Sequence, residues 1–330
     1  MKKLKWLTKK SIIMNNNVRE SFTDSVYSVG NIDKKLCVIV SDISHFRLQK
    51  FAKENPNRYY NLGVCENSIL NVAAGLSHVG FIPVVHTFAS FLVDKSFEQI
   101  KLSFGYNQLP LNLVVIGSGI EYSYHGVTHH SYIDSVLVKS VENSCVFNPG
   151  SFFEFDELFK RAYDNKKINL FRATTQSHDI DLKKDFKISS LTPGKGYILE
   201  QGKDLTIVST GHNLKIAINS INLFKQNGID AEIIYLPTIK PLDKELIIKS
   251  ILKTKKFIVM EHQSQYGGLF SDISSLIIKN NKSTAIHGKD ISFGNNYIHE
   301  YGSFDQHNKR LGFSEQGLLE AYQVMIKNEY

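Results

Sequence analysis

Short apolar runs rich in valine and isoleucine, separated by stretches with helical spacing, set the strongest limit on what this chain can fold into. Leu36 to Val40, Tyr59 to Val64, Ile82 to His86, Leu113 to Ile116, Val146 to Phe147 and Ile168 to Phe171 read as buried strands. Between them, Glu66 to His78, Phe91 to Gly105, Tyr132 to Val141 and Ser151 to Asn165 carry helix-compatible spacing, the last with Ser151 as its cap. Such alternation is the βαβ rhythm of a parallel sheet covered by helices. One α/β domain is therefore expected over residues 1–175.

From Ala173 to Gly196 the periodicity gives way to Thr, Ser, Asp and Lys with a Pro193-Gly194 turn, which places a linker at 176–197. A fresh alternation follows. Leu205 to Thr210, Ala231 to Leu236 and Phe257 to Met260 read as strands, and Leu214 to Gln226, Lys244 to Lys253, Leu269 to Ile278 and Leu318 to Ile326 as helices. The second expectation is a smaller parallel-sheet α/β domain over 198–330.

The bulk composition fits a two-domain protein with ordinary cores, 42% of its 330 residues being hydrophobic and 22% charged. No stretch approaches the length of apolar chain that a membrane helix needs, and Met1 to Lys10 lacks the apolar centre of a secretory signal, so a cytoplasmic protein is expected. Cys37, Cys65 and Cys145 are far apart, odd in number and set in apolar runs, which points to reduced core thiols. The formal charge of +7 comes from lysines spread along the whole sequence, with no nucleic-acid reader motif among them. A solvated basic surface accounts for it, and so does an anionic small ligand.

Chemistry is concentrated in a few places. Glu66 opens an otherwise apolar helix directly after a strand, where the helix N-terminus favours an anion; by itself it is either a cap or a catalytic group. Neither a P-loop nor G-x-G-x-x-G is present, and Gly117-Ser118-Gly119 reads as a turn. His125, His129 and His130 surround Gly126-Val127-Thr128 without a cysteine or carboxylate to complete a zinc site, so no metal is expected on these residues. They read better as imidazoles beside a ligand at the carboxyl end of a strand.

In their order, Arg58 to Asn67, Ala73-Ala74-Gly75-Leu76, Pro83, Thr87-Phe88-Ala89-Ser90-Phe91, Glu98-Gln99-Ile100 and Gly126-Val127-Thr128-His129 resemble the pyrimidine-binding domain of transketolases. Leu205 to Gly211, Thr238 to Asp243, Glu261-His262 and Gly267-Gly268-Leu269 resemble the transketolase C-terminal domain. The resemblance implies thiamine diphosphate chemistry. In that family the acidic residue matching Glu66 bonds the cofactor's aminopyrimidine ring and thereby promotes loss of the thiazolium C2 proton.

Carried over residue by residue, the resemblance makes Phe88 and Phe91 the aromatic seat of the pyrimidine. It puts Lys95 where many relatives have arginine and Asp42 near the cofactor. His129 matches a histidine that faces the sugar and assists proton transfer. His125 stands where the family usually has an aspartate contacting a sugar hydroxyl. Arg19 and Arg172 match phosphate-binding arginines, whereas Gly117 replaces a phosphate-binding histidine. His45 and His86 could line the same cleft or be structural.

Full-length transketolases hold the diphosphate and Mg2+ through a Gly-Asp-Gly motif and an asparagine in another domain, and this sequence has no such motif. The resemblance therefore implies a separate N-terminal-type subunit holding metal and diphosphate, and a heterotetramer of two chains of each kind. The implied reaction is transfer of a two-carbon ketol unit between a ketose and an aldose, expected to be sugar phosphates. A deoxyxylulose-phosphate-synthase-like or 2-oxoacid-dehydrogenase beta-like subunit, and a non-catalytic assembly subunit, are the alternatives.

Overall fold

The computed structural model describes residues 18–281, 285–294 and 296–327. The lysine-rich stretch from Met1 to Lys10, expected to be no secretory signal, lies outside the described residues.

Two sheets organise the chain. Leu36–Val40 (β1), Tyr59–Asn61 (β2), Ile82–Phe88 (β3), Leu111–Ile116 (β4), Ser144–Phe147 (β5) and Ile168–Arg172 (β6) come from the first half. The second half supplies Tyr197–Glu200 (β7), Leu205–Ser209 (β8), Ala231–Tyr235 (β9), Thr238–Lys240 (β10), Lys256–Met260 (β11) and His287–Ile291 (β12). The larger sheet runs β10-β5-β6-β4-β3-β1-β2 and the smaller β12-β11-β8-β9-β7. All pairs within them are parallel except two at the edges, β10 against β5 and β7 against β9. The expected parallel sheets thus each carry one antiparallel edge strand. Strand β10, although it belongs to the second half of the sequence, closes the larger sheet.

The strand runs became central strands because both their faces are covered. Every residue of β1, β4 and β6 is buried, which requires uninterrupted apolar sequence rather than alternation. The expected helix from Phe91 to Gly105 is instead three pieces, Ser90–Asp94, Phe97–Gln99 and Ile100–Tyr106, the first and last wound as wide π-helical turns. The Ser151 cap is present: its side chain accepts a hydrogen bond from the Glu154 amide.

The two halves are joined by a buried polar seam. Asp134 accepts from Ser118 Oγ at 2.6 Å, from Arg172 Nε at 3.1 Å and from Gln263 Nε2 at 2.5 Å. Arg172 also donates to the His262 carbonyl at 2.9 Å. One carboxylate between two sheets is thereby fully hydrogen-bonded, as its burial demands.

Candidate functional site

The chain passes from β1 to β2 on one side and then crosses back over β1 to β3 on the other, reversing direction along the sheet. Open α/β sheets form ligand crevices at such reversals, outside the carboxyl ends of the strands. Expected residues stand at those ends: Asp42 lies two residues past β1, Phe88 ends β3 and Gly117 follows β4.

Glu66 is the first residue of the helix Glu66–His78 and only 1% exposed. Ser41 Oγ lies 3.3 Å from its Oε1, and Lys95 Nζ lies 2.9 Å from its Oε2. A carboxylate here has the helix N-terminus behind it, a hydroxyl on one oxygen and an ammonium on the other. Asp42 stands next to Ser41 on the exposed side, accepting from Asn61 Nδ2 at 2.9 Å.

An aromatic cluster forms around Phe88, at the end of β3. The Phe88 ring packs edge-on against Phe91 at 5.7 Å, His129 at 5.2 Å and Tyr122 at 4.8 Å. His129 also meets Phe91 at 5.1 Å and His125 at 4.7 Å. Burial, then the neighbouring His125, lowers the His129 pKa, so its neutral form, able to accept a proton, is favoured. Gly117 has φ +75°, and a Cβ on it would come within 3.1 Å of both Phe88 and Tyr122. At this position a larger residue would push the two rings apart.

Arg19 reaches the cluster through Tyr122. Its NH1 donates to Tyr122 Oη at 3.3 Å and its Nε to Ser44 Oγ at 3.0 Å. Ser44 Oγ is 2.8 Å from His86 Nε2, and His86 Nδ1 is 2.7 Å from the Val114 carbonyl. Burial lowers the His86 pKa to about 3, so the ring is neutral; the carbonyl requires its proton on Nδ1, leaving Nε2 to accept from Ser44. The chain of donors therefore runs from Arg19 through Ser44 to His86. Asp42 and Ser44 both have positive φ, 60° and 61°, an uncommon conformation outside glycine that here presents the Ser44 hydroxyl to the arginine.

Thus Glu66 pairs with Lys95, while Phe88, Phe91, His125 and His129 form one ring cluster that Arg19 meets through Tyr122, and Asp42 stands exposed next to Ser41. Arg172 is placed differently: it is 3% exposed and committed to Asp134 and the His262 carbonyl. Ser41, Ser44 and Tyr122 were missed from the sequence. Ser41 and Ser44 had a readable signal, since both follow the end of a buried strand, but nothing local marked Tyr122. Among the described residues no three His, Cys, Asp or Glu side chains gather into a metal-holding group, and no helix is long and apolar enough to cross a membrane.

Residues 15–178 match the family model of the transketolase pyrimidine-binding domain, and residues 194–316 that of the transketolase C-terminal domain. A putative transketolase C-terminal section from Methanocaldococcus jannaschii is 28% identical over 316 residues, covering 94% of this chain and 97% of the relative. One subunit of an apulose-4-phosphate transketolase from Phocaeicola vulgatus is 29% identical over 274 residues, 81% of this chain and 86% of the relative. A 1-deoxy-D-xylulose-5-phosphate synthase from Halothermothrix orenii is 30% identical over 261 residues, 78% of this chain but 40% of that longer protein. A solved split-gene transketolase, described as an inactive beta4 tetramer, superposes with a TM-score of 0.81 at 26% identity, covering 94% of this chain and 98% of the other.

Proposed function

The chain belongs to the transketolase family, carrying its pyrimidine-binding and C-terminal domains, and we propose that it is one subunit of a split transketolase. Its partner would be a separate subunit that holds Mg2+ and the diphosphate, and the reaction transfer of a two-carbon ketol unit between a ketose and an aldose, both sugar phosphates. The observation that carries this reading is the buried Glu66 carboxylate, held by Ser41 and Lys95 beside the Phe88, Phe91 and His129 rings. Near coverage of both a transketolase C-terminal section and one subunit of a sugar-phosphate transketolase, each about the length of this chain, supports the two-subunit arrangement.

The donor set fits the aminopyrimidine end of thiamine diphosphate: one buried carboxylate for a ring nitrogen and flat aromatic edges for the ring. When bound, that cofactor supplies the carbon nucleophile that accepts the ketol unit. Glu66 accepts a hydrogen bond from the pyrimidine and holds the proton there. Phe91 and Phe88 seat the ring, a contact of about 0.5 to 1.5 kcal/mol beyond burial. Lys95 keeps Glu66 anchored, and Asp42 borders the cofactor side. His129, with His125 beside it, takes up and returns the proton of a sugar hydroxyl. Arg19 binds the sugar phosphate with its planar donors. Arg172, occupied by Asp134, positions the loop from Gly117 to Asp134 instead of touching the sugar.

The deciding assay mixes this chain with its candidate diphosphate-binding subunit, thiamine diphosphate and Mg2+ and follows ketol transfer for the wild type and Glu66→Gln. A loss of about 10²-fold or more is expected in the variant. Unchanged activity would sink the mechanism, and tight cofactor binding by this chain alone would overturn the two-subunit reading.

A further inference from the structure

The segments that carry Phe91, Lys95 and His129 have a second side. Ser90, Asp94 and His130, each next to one of those residues, line a separate cavity of about 620 Å³. The opposite wall comes from the second half of the chain, with Tyr297 and Tyr301 on it, and Tyr132 joins the two walls. Tyr132 Oη is 3.0 Å from His130 Nδ1 and its ring lies 5.9 Å from that of Tyr297. Tyr301 lies against Gly126: a Cβ there would be 3.4 Å from its ring.

We propose that this cavity binds a neutral, hydroxyl-rich sugar ring. Four observations lead there. The volume falls within the range of roughly 300 to 1,000 Å³ typical of small-ligand sites. Tyr297 and Tyr301 are 65% and 76% exposed, offering flat faces of the kind on which the CH edges of a pyranose pack. The Ser90 hydroxyl, on a residue lining this cavity, is buried and has no hydrogen-bond partner among the described residues, an uncommon state for a polar atom. No lysine or arginine is among the described residues lining the cavity, whereas Asp94 and Glu300 are, so a phosphate or carboxylate would meet two carboxyl groups and no permanent cation.

Asp94 supports the reading from another direction. Burial, with nearby Asp134 second, raises its pKa to about 7. Near neutral pH it both donates and accepts, as hydroxyl recognition requires. The cavity is distinct from the crevice holding Arg19, and the inference stands whether or not the chain is catalytic.

Saturation-transfer NMR on the full chain tests it, with D-glucose and D-xylose as probes and glucose 6-phosphate for comparison. Transfer to the neutral sugars is expected, falling at least fivefold in the doubly substituted Tyr297→Ala/Tyr301→Ala chain, whose two side chains are exposed enough to be removed without unfolding. Asp94→Leu, which keeps about the same volume but removes both donor and acceptor, is expected to weaken the signal too, with circular dichroism unchanged. Absence of transfer to either sugar, equal transfer in wild type and both variants, or a stronger signal from glucose 6-phosphate would each overturn the proposal.

Discussion

Lys95 reaches the buried carboxylate of Glu66 from solvent: Nζ lies 2.9 Å from Oε2, with 53% of the lysine side chain exposed and 2% of the glutamate's. The lysine is thus a positioning residue that can be removed without opening the core. Lys95→Met is expected to lower kcat of the reconstituted enzyme about tenfold, by leaving a buried anion without its cationic partner. Lys95→Arg should recover most of it, since the positive charge is kept. Failure of arginine to rescue would mean that the lysine acts by some means other than its charge.

Ser44 stands between Arg19 and the neutral ring of His86. Replacing it with alanine removes a hydrogen bond to a charged donor, worth about 1.5 to 3 kcal/mol. For Ser44→Ala, KM for a phosphorylated aldose should rise about tenfold while kcat changes little. Steady-state kinetics with phosphorylated and unphosphorylated aldoses checks this; an equal effect on both would detach Arg19 from phosphate.

Arg172 and Asp134 form an ion pair 3% and 0% exposed in their side chains. Breaking such a pair from one side costs about 3 to 5 kcal/mol, because a charge is left buried and alone. Arg172→Met should therefore lower stability in urea unfolding by about that amount, and Arg172→Met/Asp134→Leu by less than the two single losses combined. A substrate-contact role for Arg172 would give the reverse pattern, with little change in stability and a raised KM.

Burial holds the pKa of both His86 and His262 at about 3. The unfolded chain protonates these rings near pH 6.5. Between the two values the unfolded state carries more protons, so stability is full above about pH 6.5 and falls as the pH drops toward 3. Each histidine contributes up to about 1.4 kcal/mol per pH unit to that slope. His262 packs beside Phe293, Phe304 and Phe313. The His262→Phe variant should show a visibly shallower decline between pH 6 and pH 5 in urea titrations, and parallel slopes would count against this account.

Much of this architecture was legible because burial on both faces leaves a local mark. Leu36–Val40 and the helices Glu66–His78 and Leu214–Gln226 could be read from periodicity alone. The crevice was less legible. Glu66 and Phe91 were found through their company in the sequence, but Tyr122 is tied to the site by contacts with Phe88 and Arg19, which are distant in the chain. Arg172 shows the opposite failure. An arginine at a strand end looks the same in sequence whether it faces a ligand or a buried aspartate 38 residues away. The wide turns from Ser90 to Asp94 escaped for a similar reason, since periodicity near 3.6 does not distinguish one helical winding from another.

The short strand Thr238–Lys240, supplied by the second half of the chain, covers the edge of Ser144–Phe147 in the first. Cutting the chain at the linker would leave the smaller sheet whole but strip the larger one of this strand, exposing the edge of Ser144–Phe147 to any passing strand. Three residues of the second half thus make the first half's sheet depend on the whole chain for its outer edge.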